Sequence, residues 1–260
     1  MVGSQGLKPA RAGLLMAGVL LLLLAACSTT PPPPVIAAPE VAPGQSPWAL
    51  ASGAGTPPAA WLHQEFPGKR VTVYRYARID GRDVIQAHAE SSASVLRQRL
   101  RVEAADLGRL QFSWKVPALI ADADLRDRHR SDSPVRIVLA FEGDRSRFSA
   151  RDGMLSELAH ALTGEPMPYA TLMYVWANQT EPETLLNNAR TTRIRKLVVE
   201  SGPRNLNRWL DYDRDIRADF LQAFGEEPGA LVSIGILTDT DNTESNATVL
   251  YGPVRTVPGR

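Results

Sequence analysis

The sequence contains a single cysteine, Cys27, in 260 residues. No intrachain disulfide can form, so the fold has to rest on its apolar core. An excess of either charge is also missing, with 29 Lys and Arg against 28 Asp and Glu. That balance excludes a basic field for nucleic acid and a polybasic patch for anionic lipid. The apolar run at residues 14–24 is too short to span a bilayer. The four histidines, His63, His88, His129 and His160, share no metal-ligand spacing. The G-x-S-x-G, H-E-x-x-H and P-loop patterns are absent, so a non-catalytic domain is favoured over an enzyme.

The N-terminus has the pattern of a leader. Lys8 and Arg11 form a positive region, residues 14–24 form the apolar stretch, and Leu24-Ala25-Ala26-Cys27 resembles a bacterial lipobox. Residues 1–26 are therefore expected to be a lipoprotein signal peptide and Cys27 the lipidated residue, which anchors the chain to a membrane. Ser28 follows the cysteine where an inner-membrane retention signal would place aspartate. By that sorting rule the outer membrane is favoured, with the domain in the envelope facing the periplasm. Removing Lys8 and Arg11 takes the 29 basic residues to 27 against 28 acidic ones, so the mature chain is close to neutral.

Residues 27–59 are expected to be a tether. Pro31 to Pro34, then Pro39, Pro43, Pro47, Pro57 and Pro58, favour extended chain and cannot bury a core. Residues 60–257 are enough for one domain. Alternating apolar residues predict strands at 71–76, 84–89, 96–102, 110–116, 134–141, 169–176, 194–200, 231–237 and 248–251. Asp80-Gly81 marks a hairpin turn. Residues 152–162 have helical spacing, with Met154, Leu155, Leu158, Ala161 and Leu162 on one side and Gly164 beyond as a stop. A second helical stripe is formed by Ile216, Phe220 and Phe224, after Trp209 to Tyr212 in extended chain. Many short strands and one or two short helices that do not alternate with them predict a mainly β fold, an antiparallel β-sandwich of the jelly-roll kind.

Residues 231–243 join a buried-type strand to six consecutive oxygen-bearing side chains, Thr238 to Thr243. Hard cations such as Ca²⁺ take such oxygens, and Asp239 and Asp241 share a side in extended chain. Asp and Asn also bond their own backbone in turns, so a structural turn, a ligand contact and a metal site all remain open readings. Asp239, Asp241 and Asn242 are the candidate ligand-binding residues, with Arg193 and Trp209 as neighbours. Trp209 lies in polar sequence and is the best candidate for an exposed aromatic, whereas Trp114 and Trp176 alternate with core residues. Glu165, in a Pro-stiffened loop, and Asp241 are the acid/base candidates if the domain is a hydrolase.

Six stretches carry a family resemblance: Phe66-Pro67-Gly68-Lys69, the segment from Glu90 to Ser94, that from Phe112 to Val116, that from Leu162 to Trp176, that from Val199 to Gly202, and that from Thr238 to Thr243. Together they resemble the bacterial DUF3047 family, which implies no activity and no site residues. A looser similarity links the segment from Trp209 to Phe220, the strand ending in Asp239 and Tyr251-Gly252 to galactose-binding-like jelly rolls. Domains of that shape bind sugars or calcium in many cases. The expected function is an envelope lipoprotein whose jelly roll binds a glycan or another envelope component. A polysaccharide hydrolase and a structural or assembly lipoprotein are the alternatives. Oligomeric state is not legible.

Overall fold

The computed structural model describes residues 61–259; the leader, Cys27 and the tether lie outside the described residues. The strands are β1 (Trp61–Glu65), β2 (Val73–Ile79), β3 (Arg82–Glu90), β4 (Ala93–Val102), β5 (Arg109–Lys115) and β6 (Ser133–Phe141). Helix α1 (Ala150–Thr163) leads to β7 (Ala170–Ala177), β8 (Leu185–Asn187), β9 (Ile194–Ser201) and β10 (Trp209–Asp215). Helix α2 (Ile216–Phe224), β11 (Leu231–Asp239), β12 (Asn246–Tyr251) and β13 (Arg255–Val257) complete the domain. A larger sheet has the order β1-β4-β11-β6-β7-β9-β8, and a smaller one β10-β5-β12-β3-β2, with β13 added beside β5. The two sheets stack as a jelly-roll β-sandwich.

One pairing departs from the expected antiparallel pattern: β9 runs parallel to β7. The physical reason is a short strand absent from the expectation. The chain leaves β7, forms β8 at the sheet edge, and returns antiparallel to β8 in the gap between them. Asp80 and Gly81 both take positive φ, 54° and 73°, and close the β2–β3 hairpin as the Asp-Gly dipeptide predicts.

The core lies between the sheets. Leu96, Ile137, Leu172, Tyr174, Trp176 and Ile236 meet Ile85, Phe112, Trp114, Val249 and Tyr251. Phe112 stacks against Tyr174 across the sandwich at 5.5 Å and against Tyr212 of β10 at 5.0 Å. Helix α2 closes one end, with Phe220 edge-on to Phe141 at 4.7 Å. No helix among the described residues is long and apolar enough to cross a membrane.

Helix α1 is oriented against its composition. Ser149 caps its N-terminus by accepting from the Asp152 amide, and Gly164 ends it in the left-handed region at φ 76°. Its buried residues are polar, Asp152 and Ser156, whereas Met154, Leu158 and Leu162 are 66, 53 and 60% exposed. Asp152 is the docking point. Its carboxylate accepts from Ser149 Oγ at 2.8 Å, the Thr192 amide at 3.2 Å, Thr192 Oγ1 at 2.7 Å, and Thr191 Oγ1. Burial alone would raise its pKa, but these hydrogen bonds outweigh it and hold the carboxyl down at about 2.

Replacing Asp152 with Ala leaves buried donors unpaired and is expected to cost about 2 kcal/mol in urea unfolding at pH 7. Because the native pKa is depressed, this stabilisation is fully present above the unfolded value near 4. It disappears as pH falls towards about 2. The gap between wild type and Asp152→Ala should therefore be constant above pH ~5 and narrow below pH ~4. A gap that does not change down to pH ~2.5 contradicts the assignment.

Candidate functional site

Alternation divides the larger sheet into two faces. Leu96, Ile236, Ile137 and Leu172 point into the sandwich. Their sequence neighbours form the outer face, where the pairing register lines up Arg97, Gly235, Val138, Met173 and Lys196 across five strands. Gly235 sits in the middle because a Cβ there would meet Val95 Cγ1 at 2.7 Å. Charged groups collect at both ends of this face.

The first end is the rim reached by the 238–243 stretch. Asp132, just before β6, accepts from the amide and side chain of Asn242 at 3.2 and 2.9 Å, and from the amide and hydroxyl of Thr243 at 2.8 and 2.6 Å. Arg136 of β6 pairs with Asp239 at 2.7 Å. Lys69, which closes the Phe66–Lys69 turn, pairs with Asp241, and Lys196 donates to Ser131 Oγ. Carboxylate oxygens of Asp132, Asp239 and Asp241 lie within 4.8 Å of one another. Burial brings the Lys196 ammonium down to about 7, helped by the Arg136 charge. Burial pushes Asp239 up to about 6, with Arg136 opposing and Asp132 adding to the rise.

This geometry bears on the calcium expectation. Asp132, Asp239 and Asp241 face Lys69, Arg136 and Lys196, three carboxylates and three cations from the chain itself. Both Asp132 oxygens are committed to the turn. An added divalent ion would have to displace Lys69 from Asp241 and would find the charge already balanced. Asp239 Oδ1 and Arg136 Nε are buried and have no hydrogen-bond partner among the described residues. The 238–243 stretch is thus a turn strapped down by Asp132, which lies over a hundred residues earlier.

The other candidate residues do not join this rim. Arg193 lies next to the start of β9, near the opposite end of the sheet, about 20 Å away along β7 at ~3.3 Å per residue. It donates to the Tyr169 carbonyl and to Glu226, both at 2.7 Å, and covers the Tyr169 ring at 3.9 Å. Trp209 belongs to the smaller sheet, where its indole donates to Asp80 at 3.1 Å and Arg82 lies over its ring at 4.8 Å. Only Asp239, Asp241 and Asn242 come together.

The second end of the face opens into a cavity of about 730 Å³, lined by Arg97, Arg99, Arg101 and Arg145 with Glu103, Glu142 and Glu165. Arg97 reaches both oxygens of Glu165, at 2.7 and 2.8 Å, and Arg99 pairs with the same carboxylate. Glu165 follows the Gly164 stop of α1, so the helix C-terminus delivers it to the cavity. Arg101 pairs with Glu142 at 2.9 Å and Glu103 at 2.5 Å. Arg145 instead donates to Ser156 Oγ at 2.9 Å and the Met167 carbonyl at 2.6 Å. Gly143 has no side chain because a Cβ would strike the Tyr169 ring at 2.1 Å, and so Tyr169 can form part of the wall. Four arginines against three glutamates leave a net charge of +1. Glu165, an acid/base candidate, is therefore engaged by two guanidinium groups, and Asp241, the other, by Lys69.

Sequence reasoning did not single out Asp132, Arg136, Lys196 or the arginine row of β4. Arg97, Arg99 and Arg101 alternate on one strand face, which was a visible signal. What covers that face was not.

Two outcomes follow for the rim. Chelation with EDTA should leave the melting temperature unchanged; a drop that Ca²⁺ restores contradicts the balanced cluster. Lys196 binds its proton less readily in the native state than when unfolded. Its burial penalty is therefore full below about pH 7 and is relieved as pH rises towards the unfolded value near 10. Wild type should be more stable in urea at pH ~9 than at pH ~7, by up to about 2 kcal/mol. Lys196→Met should remove that rise, and an equal rise in the variant contradicts the assignment.

An endoglucanase, cel12A from Rhodothermus marinus, is similar in fold at a TM-score of 0.41 and 8% identity, over 76% of this chain and 97% of that one. No protein of curated function matches the chain. The family described as a protein of unknown function, DUF3047, matches residues 59–255. The match spans the whole sandwich up to β13, and the chain belongs to the DUF3047 family.

Proposed function

We propose that the protein is a lipid-anchored component of the bacterial envelope whose jelly roll binds, without catalysis, an acidic glycan or similar acidic envelope component in the arginine-lined cavity. Cys27 carries the anchor, residues 28–59 form the tether, and the outer membrane facing the periplasm is the favoured location. The lipobox residues and Ser28 support that placement.

One observation carries the binding reading. Arg97 and Arg99, neighbours on the outer face, share the single carboxylate of Glu165 at the edge of a cavity that also holds Arg145, which has no carboxylate partner among the described residues. Guanidinium groups recognise planar carboxylates and phosphates through paired hydrogen bonds. Glu165 therefore occupies the place that a ligand carboxylate would take. The cavity volume suits a short oligosaccharide segment.

Calorimetric titration with a uronic-acid oligosaccharide, beside a neutral one of equal length, tests this. The acidic ligand should bind and the neutral one should not, with affinity falling as salt is added. Arg97→Ala with Arg99→Ala should weaken binding by about ten-fold or more. Glu165→Gln, which frees both arginines, should strengthen it by a few-fold. Equal binding of the neutral ligand, or no effect of the double substitution, rejects the reading.

A further inference from the structure

We infer that α1 is a membrane-contact element whose exposed face, Met154, Leu158 and Leu162, rests on the lipid surface that holds the anchor. This inference rests on the lipid-anchor part of the proposed function and is independent of the arginine cavity. The helix is 14 residues long and docks through its polar side, Asp152 and Ser156. Its three large apolar side chains at spacing i, i+4, i+8 are each more than half exposed. They are therefore aligned along one side of the helix. Arg151 and Ala161 are exposed as well. At 100° per residue they fall on the same arc, which carries one basic side chain, Arg151, near one end; the exposed Glu157 borders it about 60° from Met154. A helix that turns apolar groups to the outside while burying an aspartate is inverted relative to a surface helix packed on a core. That inversion needs an apolar medium outside the chain.

Two observations favour lipid over a second copy. The stripe spans about 12 Å of helix at ~1.5 Å per residue, which at a helix width of ~10 Å is a footprint of roughly 120 Å², far short of the ~800 Å² per partner that a stable protein interface buries. A weak apolar contact suffices on a membrane to which the chain is already attached, because the anchor has already brought the surfaces together. The length of chain before the domain permits this. Some thirty residues separate Cys27 from Trp61, a reach of up to roughly 100 Å at ~3 Å per residue, so α1 can reach the bilayer. A helix lying flat in the interface, apolar face down, is the arrangement such a stripe fits; Arg151, which donates to the Ala189 carbonyl at 3.4 Å, stands at its edge.

Site-directed spin labelling of the acylated full chain tests the inference. Cys27 is the only native cysteine, so when it is acylated Leu158→Cys carries the nitroxide alone. The protein is reconstituted into vesicles of phosphatidylethanolamine with a minority of phosphatidylglycerol. The label at 158 should lose about half or more of its collisions with a water-soluble nickel chelate and gain collisions with oxygen. Val73→Cys, on the exposed edge strand of the smaller sheet, should keep its collisions with the chelate. A label at 158 that stays in water on an acylated, vesicle-bound chain overturns the inference alone. A label that becomes immobilised in detergent-free solution as protein concentration rises assigns the face to a second copy and also overturns it. A chain with no acyl group on Cys27 by mass spectrometry removes the anchor, and this inference with it. Calorimetry on the arginine cavity is unaffected by any of these results.

Discussion

The larger sheet is covered on both faces over much of its area, and that constraint shapes the rest of the molecule. Eight of nine residues in β6 and eight of nine in β11 are buried, including those that point away from the sandwich. The charged side chains buried on that outer face, Arg136, Lys196 and Asp239, have lost most of their water and must find partners within the protein. At the 238–243 rim the requirement is met by the chain itself, through Arg136 with Asp239 and Asp132 with the turn. At the opposite end, where Arg97 and Arg99 share one glutamate, the balance is left in favour of the cations. One end of the face is closed by its own chemistry, and the other is open.

This asymmetry reverses the emphasis that the primary structure invites. Six oxygen-bearing residues in a row draw attention to Thr238–Thr243 because they are adjacent in sequence. Their partners, Asp132, Arg136 and Lys196, are distant in sequence, and without them the stretch looks like a set of ligand oxygens. The arginines of β4 show the converse. Their alternation was legible, but an exposed strand face and a cleft wall look alike until the loop carrying Glu165 is placed over it. The β architecture was legible because it depends on local patterning: alternation in β5, the Asp80-Gly81 turn and the Gly164 stop all act within a few residues. The parallel β7–β9 pair was not, because it depends on where the short strand β8 settles. The spacing of α1 predicted a helix correctly, yet periodicity specifies only that one face is apolar. Asp152 and its threonine partners decide which face turns inward.

On the proposed reading, the closed rim serves stability and the open cavity recognition. The rim is a buried polar cluster whose titration is expected to make the fold pH-dependent near neutrality, through Asp239 and Lys196. The cavity lies next to the C-terminus of α1, since Glu165 follows that helix by two residues.

The central claim is that ligand recognition resides at the arginine end of the larger sheet and not at the oxygen-rich rim. Its most direct test is an NMR titration that follows the side-chain Nε–H signals of the arginines as a uronic-acid oligosaccharide is added. The account predicts shifts concentrated at Arg97, Arg99 and Arg145, with the amides of Asp241, Asn242 and Thr243 unmoved. Shifts concentrated at 238–243, or on the smaller sheet around Trp209, would contradict it.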